Sequence, residues 1–251
     1  RPPQPIFMSN IKKIIKYIDK YLLLSSLKNI YVFYLRMKNK YFLKMFKNKE
    51  LIISRKNDNY LKDLCKVYGT DKGYPHNYAD YYYQEFNQTK NQINLIFELG
   101  IGSNDLSIPH NIGKNGNSGA SLHVWSKYFK NSTVYGGDID KSTFINTNRI
   151  KSFYVDQNDQ DSINNMWSHI KETNFDIIID DGHHALESAV KLFQNSFNKL
   201  KKNGLYIIED VHISYLSKLV ETLNKYDPKV ILFENNNNLD DDNLVVFKKI
   251  N

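Results

Sequence analysis

From Asn94 onward short apolar runs alternate with amphipathic stretches, and no other feature of the chain constrains its fold as much. The runs at 95–99, 134–137, 153–155, 176–180, 205–209, 230–234 and 244–248 have strand length. Between them, 121–129, 162–173, 184–200 and 216–226 carry apolar residues at helical spacing. Strands that alternate with helices predict a parallel sheet covered on both faces. The last two strands are joined by 235–243, polar apart from Leu239 and too short for a crossover helix, so they are expected to pair antiparallel. Each of the first five strands ends at or beside Asp or Glu, or at a Gly just before Asp. In an open parallel sheet the ligand crevice lies outside the carboxyl ends of the strands, so these acids are expected to converge.

Composition narrows the setting of that sheet. The 251 residues are 41% hydrophobic and 24% charged, near the averages for globular domains. The net charge of +7 arises largely before Lys49, away from the acids, so nucleic acid is not an expected partner. Cys65 is the single cysteine, which excludes an internal disulfide and a cysteine-based metal cluster and fits a reducing, cytoplasmic setting. The apolar run 21–24 is far shorter than the roughly 20 residues of a membrane span. Residues 1–7 read as a cloning remnant ahead of Met8, 8–58 as a basic helical extension, and 59–251 as the main domain. In the extension Ile11, Ile14, Ile15, Ile18 and Leu22 recur at helical spacing among Lys12, Lys13, Lys16 and Lys20, with Tyr31, Phe33, Tyr34, Tyr41 and Phe42 beyond them. Two readings stay open: packing on its own domain or on another subunit of a homo-oligomer, or weak peripheral contact with an anionic membrane surface.

Upstream of the sheet, Leu61, Leu64, Cys65 and Tyr68 suggest a short helix with Gly69 as C-cap, and residues 68–78 an ordered polar loop. After the first strand, Glu98-Leu99-Gly100-Ile101-Gly102 lets the backbone turn tightly near a ligand. A dinucleotide site would have a third glycine at Asp105 and a helix at once, so a ligand without pyrophosphate is favoured. Asp138 stands where an acid accepts both ribose hydroxyls, with Asp140 free to cap the next helix. Asp156-Gln157 is placed to meet an adenine amino group. Helix capping or solvation accounts for any one of these acids, less readily for all.

Next comes Asp180-Asp181-Gly182-His183-His184, and after the succeeding strand Glu209-Asp210. Asp181, Glu209 and Asp210 offer three hard oxygen ligands that suit Mg²⁺. A cation would relieve their repulsion and lower the pKa of an acceptor hydroxyl. His184, three residues past Asp181, is the expected general base, and His183 a structural or substrate-contacting residue.

The ordered set Tyr68-Gly-Thr-Asp-Lys-Gly with His76 and Tyr78, Glu98-Leu-Gly-Ile-Gly, Gly119-Ala-Ser-Leu with Trp125, Gly137-Asp-Ile-Asp, Asp156-Gln, Ile179-Asp-Asp-Gly-His-His and Ile208-Glu-Asp resembles the metal-dependent sugar O-methyltransferases of macrolide tailoring, the mycinamicin and macrocin type. The resemblance implies an α/β, Rossmann-like class I methyltransferase fold: a seven-stranded, mostly parallel sheet with a C-terminal antiparallel hairpin. It implies S-adenosylmethionine held by Thr70, Lys72, Glu98, Gly100, Ser121, Asp138, Asp156, Gln157 and Asp180, and Mg²⁺ or Mn²⁺ held by Asp181, Glu209 and Asp210. Asp181 and His184 would be catalytic, toward a small-molecule acceptor such as a sugar or a phosphorylated or phosphoramidate precursor of a surface polysaccharide or capsule. Three rival functions fit the residues less well. The Asn/Asp-Pro-Pro-Tyr site of a nucleic-acid methyltransferase is not present. An iron hydroxylase would use two histidines and one acid, and a non-catalytic module would not need the acid triad. The long 103–118 loop has no assigned role.

Overall fold

The computed structural model describes residues 26–28, 30–38, 41, 44, 50–53, 58–233 and 241–250. The expectations for residues 1–25 lie outside the described residues, as does most of the connection 235–243. The described residues between 26 and 44 are helical, while Ile11 to Leu22, whose spacing predicts a helix, lie outside the described residues.

The sheet has eight strands: β1 (Glu50–Ile53), β2 (Leu95–Leu99), β3 (Thr133–Asp138), β4 (Ile150–Tyr154), β5 (Phe175–Asp180), β6 (Leu200–Ile208), β7 (Lys229–Phe233) and β8 (Asn243–Lys248). Their order is β1-β7-β8-β6-β5-β2-β3-β4. Among residues 58–250 that are described, six helices pack around it: α1 (Tyr60–Tyr68), α2 (Tyr78–Phe86), α3 (Ala120–Tyr128), α4 (Gln160–Ile170), α5 (Leu186–Ser196) and α6 (Ile213–Thr222).

The seven expected strands are present, but the sheet departs from expectation at two places. Residues 50–53 fall in what the lysine-rich pattern assigned to a helical extension ending at 58, yet they form an eighth strand, parallel to β7 from Glu50↔Val230 to Ile53↔Phe233. The physical reason is local: Leu51-Ile52-Ile53 is a short apolar run with two β-branched residues, a better fit to an edge strand than to a helix. The terminal pair is also more than an appended hairpin. β8 runs antiparallel to both β6 and β7, so it is inserted between them and β7 keeps the direction of the parallel set.

Side chains alternate across the sheet and build a core on each face. Ile96, Val134, Ile177 and Ile207 pack with Leu61, Tyr82 and Trp125 of α1, α2 and α3. Phe97, Ile178, Tyr206 and Phe247 pack with Trp167, Leu192 and Leu219 of α4, α5 and α6. Burial of each such side chain contributes about 1.5–3 kcal/mol. The helix before the sheet is fixed at both ends. Asn59 accepts from the Lys62 amide at 3.0 Å, and Gly69 closes α1 in the left-handed conformation at φ 79°, its N–H donating to the Cys65 carbonyl.

Register decides where the chemistry falls. Leu99 pairs with Gly137 and Asp180, and Asp180 with Ile208, so the residues just past β2, β3, β5 and β6 leave the sheet side by side. The ladder continues one step beyond the strands: the Asp181 amide donates to the Leu99 carbonyl at 3.0 Å and the Glu209 amide to the Asp180 carbonyl at 2.9 Å.

Candidate active site

At this edge a lysine reaches in from the loop after α1. The Lys72 ammonium is buried, 2.6 Å from Asp181 Oδ2 and 3.2 Å from Glu98 Oε1, and donates a short hydrogen bond to Glu209. Burial favours the neutral amine, but Asp181, Glu209 and Glu98 outweigh it and hold Lys72 charged. Glu98 also accepts from the Trp125 indole at 2.9 Å, and Glu209 from the Tyr82 hydroxyl. Burial pushes both glutamates up, against the pull of Lys72. At Asp181 burial works the same way but loses to Lys72 and His184, which hold its carboxyl well below the usual range.

The other side of Asp181 faces His184, whose Nε2 lies 3.3 Å from Asp181 Oδ1 and 3.4 Å from Asp210 Oδ2. Against burial, the hydrogen bond that His184 donates to Asp181 and the charge of Asp210 push His184 up to about 9. Asp210 rises to about 6 through burial and the charge of Asp181. Tyr78 donates its hydroxyl to Asp210, and His76 stacks on Tyr78 at 4.9 Å with its Nδ1 3.4 Å from Asp242 and 3.8 Å from Asp210. Against burial, those acids push His76 up to about 9.

The backbone is strained at this point. His184 at φ 49° and Asp210 at φ 50° both sit in the left-handed region, which costs non-glycine residues about 1–3 kcal/mol each. Such a cost is kept where the surrounding structure fixes side chains for a purpose. Among the described residues one group of acids and histidines has the closeness of a metal site: Asp181, His184 and Asp210, with ligand atoms within 4.8 Å of one another. Two carboxylates in a polar pocket suit a small divalent cation with positions left for other oxygens, and the imidazole stands beside them.

A pocket of about 270 Å³ joins this cluster to the ends of β3 and β4. Lys72, Gly100, Asp138, Asp156, Gln157, Asp181, His184, Glu209 and Asp210 of the expected residues line it. Asp138 accepts from the Ile101 amide at 2.9 Å and the Asp140 amide at 2.8 Å, leaving lone pairs for two further donors. Leu99, Ile139 and Val155 add apolar lining beside Asp156 and Gln157. Gly100 has no substitute here: at φ 84° a Cβ would stand 1.9 Å from the Asp181 carbonyl oxygen.

Four expected residues do not line the pocket. Glu98 stands behind Lys72, and Ser121 is buried on α3. Thr70 precedes the short 3₁₀ turn Asp71–Gly73 that carries Lys72. Asp180 is clamped by the Gln157 amide at 2.8 and 3.0 Å, while Gln157 Oε1 accepts from the His183 amide at 2.7 Å; burial pushes Asp180 up to about 7. Of the three expected metal ligands, Asp181 and Asp210 meet, while both oxygens of Glu209 are engaged by Lys72 and Tyr82.

Sequence reasoning missed other residues. The 103–118 loop forms part of the wall through Ile108, Pro109, His110 and Ile112, and the His110 ring lies 4.6 Å from that of His184. Asn104 ties the loop to the Gly113 and Gly116 carbonyls at 2.6 and 3.0 Å. His76 and Tyr78 were legible as part of a polar loop but not as partners of Asp210. His110 carried no signal.

No family model matches the chain. It is similar to the 8-demethyl-8-alpha-L-rhamnosyl tetracenomycin-C 2'-O-methyltransferase of Streptomyces olivaceus, 32% identical over 155 residues, which is 62% of this chain and 38% of that protein. It is also similar to the mycinamicin VI 2''-O-methyltransferase of Micromonospora griseorubida, 31% identical over 64% of this chain and 38% of that protein. The chain thus spans less than two-fifths of the length of these curated relatives. Among solved structures, the MycE methyltransferase of the mycinamycin biosynthetic pathway, in complex with Mg, SAH and mycinamycin VI, matches with a TM-score of 0.59 and 26% identity, covering 78% of this chain and 56% of that one. The fold is the Rossmann-like fold of a methyltransferase, and the resemblance read from the sequence is to proteins of this kind.

Proposed function

We propose that the chain transfers a methyl group from S-adenosylmethionine to a hydroxyl of a sugar, with a divalent cation, Mg²⁺ or Mn²⁺, held beside the acceptor. One observation carries the reading: Asp181, His184 and Asp210 converge within 4.8 Å in the same pocket that Asp138, Asp156 and Gln157 line. The relatives support the acceptor class, since one is named for a rhamnosyl 2'-O position and another for a 2''-O position of mycinamicin VI. Sugar hydroxyls of natural products, of surface-polysaccharide precursors and of phosphorylated or phosphoramidate capsule precursors share this chemistry.

When bound, S-adenosylmethionine supplies an electrophilic methyl and the cation lowers the pKa of the acceptor hydroxyl. Asp181 and Asp210 would hold the cation, with Lys72 fixing the Asp181 carboxylate from behind. Glu209, first expected as a third ligand, acts in this reading through Lys72 and Tyr82. Asp138 would accept from the donor's ribose hydroxyls, and Asp156 and Gln157, which line the same pocket, would hold its adenine. With Asp181 and Asp210 holding the cation, His184 would stay outside its ligand set and, in its neutral form, would receive the hydroxyl proton at Nε2. The methyl carbon would exchange its bond to the donor sulfur for one to the acceptor oxygen, and His184 would keep the proton. Holding the two reacting groups in one pocket supplies much of the rate.

The donor set argues against an iron hydroxylase, which would use two histidines and one carboxylate where this site offers one histidine and two carboxylates. The test is methyl transfer from labelled S-adenosylmethionine to a panel of rhamnosides, other glycosides and sugar nucleotides, with Mg²⁺ or with chelator. Transfer that needs the cation and falls about 100-fold or more in His184→Ala, with SAH binding retained, is expected. A full-length chain that binds neither SAH nor a divalent cation would overturn the reading.

A further inference from the structure

We propose that the N-terminal helical segment is a peripheral anchor that lays its outer face on an anionic lipid surface. The segment has a narrow inner face, where Val32 and Leu35 are buried. Its outer face is apolar and uncovered. Leu27, Ile30, Tyr34, Met37 and Tyr41 recur at alternating three- and four-residue spacing, which keeps them on one side of a helix, and they are 53–71% exposed. Tyr31 and Phe33 widen this face and are 56% and 66% exposed. Monomeric proteins rarely leave so continuous an apolar stripe in water.

Charge decides what covers it. Twelve of the chain's 34 Lys and Arg residues lie in 1–49, against one of its 27 acids, Asp19. Residues 50–251 therefore carry 22 basic and 26 acidic groups, so the basic surplus belongs wholly to the segment with the apolar stripe. The stripe has the spacing of a helix-pairing seam, but pairing with a second copy would bring two such segments of like charge together. An anionic bilayer matches both properties at once. Tyr and Phe favour the headgroup level, and each Lys or Arg near the surface adds to the attraction. No helix among the described residues is long and apolar enough to cross a membrane, which fits an attachment that lies on the surface.

The test is sedimentation of the full chain with vesicles of phosphatidylcholine alone or with about 30% phosphatidylglycerol, at low and high salt, alongside light scattering of the protein without lipid. The proposal expects binding to the anionic vesicles only, weakened at high salt, and a drop of about tenfold or more in the variant Phe33→Ser/Tyr34→Ser/Met37→Ser. Lys38→Glu, which leaves the stripe intact, is expected to weaken binding more at low salt than at high salt. Circular dichroism of both variants confirms that they fold. Equal binding to neutral and anionic vesicles would overturn the proposal, as would no binding to either. Full binding by the triple variant would overturn the assignment of the face, and a stable dimer that the triple variant dissociates, without vesicle binding, would replace the lipid surface with a second copy.

Discussion

Lys72 shows how one residue can hold a site together across the chain. It is separated from Asp181 by 109 positions and from Glu209 by 137, and it places one ammonium among three carboxylates. Lys72→Met keeps the length of the side chain and removes the charge, leaving buried acids uncompensated. The expected loss is about 3–5 kcal/mol in urea denaturation of the metal-free protein, and an unchanged midpoint would contradict the role given to Lys72. Cys65 illustrates the opposite case, a reactive group made inert. It is buried, and desolvation pushes its thiol from the ordinary value of 9.0 up to about 12. The raised value leaves the thiol protonated at pH 8, where the unfolded chain has begun to ionise. A thiol-specific reagent at pH 8 is expected to label the folded protein at least about 100-fold more slowly than the urea-unfolded protein, and comparable rates would contradict the burial. At this scale the sequence was partly legible. Acids at strand ends are fixed by the strands themselves, so Asp138, Asp181 and Asp210 could be placed in advance. The pairing of Lys72 with Glu209 depends on which loop folds over the edge, and no local spacing encodes that.

At the scale of elements, the strong periodic segments were readable and the marginal one was not. β2 and β5 announce themselves because they are apolar on both faces, as central parallel strands must be. β1 is four residues long, sits at the edge and comes after a lysine-rich helical pattern, so its three apolar residues read as a continuation of the preceding helix. Its position gives it a role in closing the sheet, since it covers the free edge of β7. A chain beginning at residue 59 would expose that edge. It is expected to unfold several degrees lower than a chain beginning at residue 44 and to aggregate on heating, as light scattering during a thermal scan would show. Equal thermal stability of the two would show that the main domain begins after β1. The insertion of β8 between β6 and β7 was also beyond sequence reasoning, because a short polar connection demands antiparallel pairing but does not say which strand lies on the far side.

At the scale of the whole molecule, an acidic pocket at the strand ends is joined to a basic, aromatic segment that is proposed to bring the domain to a lipid surface. The two ends are chemically distinct, and each can fail without the other. The pocket is the more consequential of the two, because it is held to seat both a sulfonium donor and a hard cation. Calorimetric titration of SAH and then Mn²⁺ into the full chain, repeated for Asp181→Asn and Asp210→Asn, tests this most directly. Both ligands are expected to bind, with Mn²⁺ affinity falling about 10-fold or more in each variant while SAH affinity stays within about threefold. Mn²⁺ binding that survives both substitutions unchanged, or a chain that takes no SAH, would contradict it.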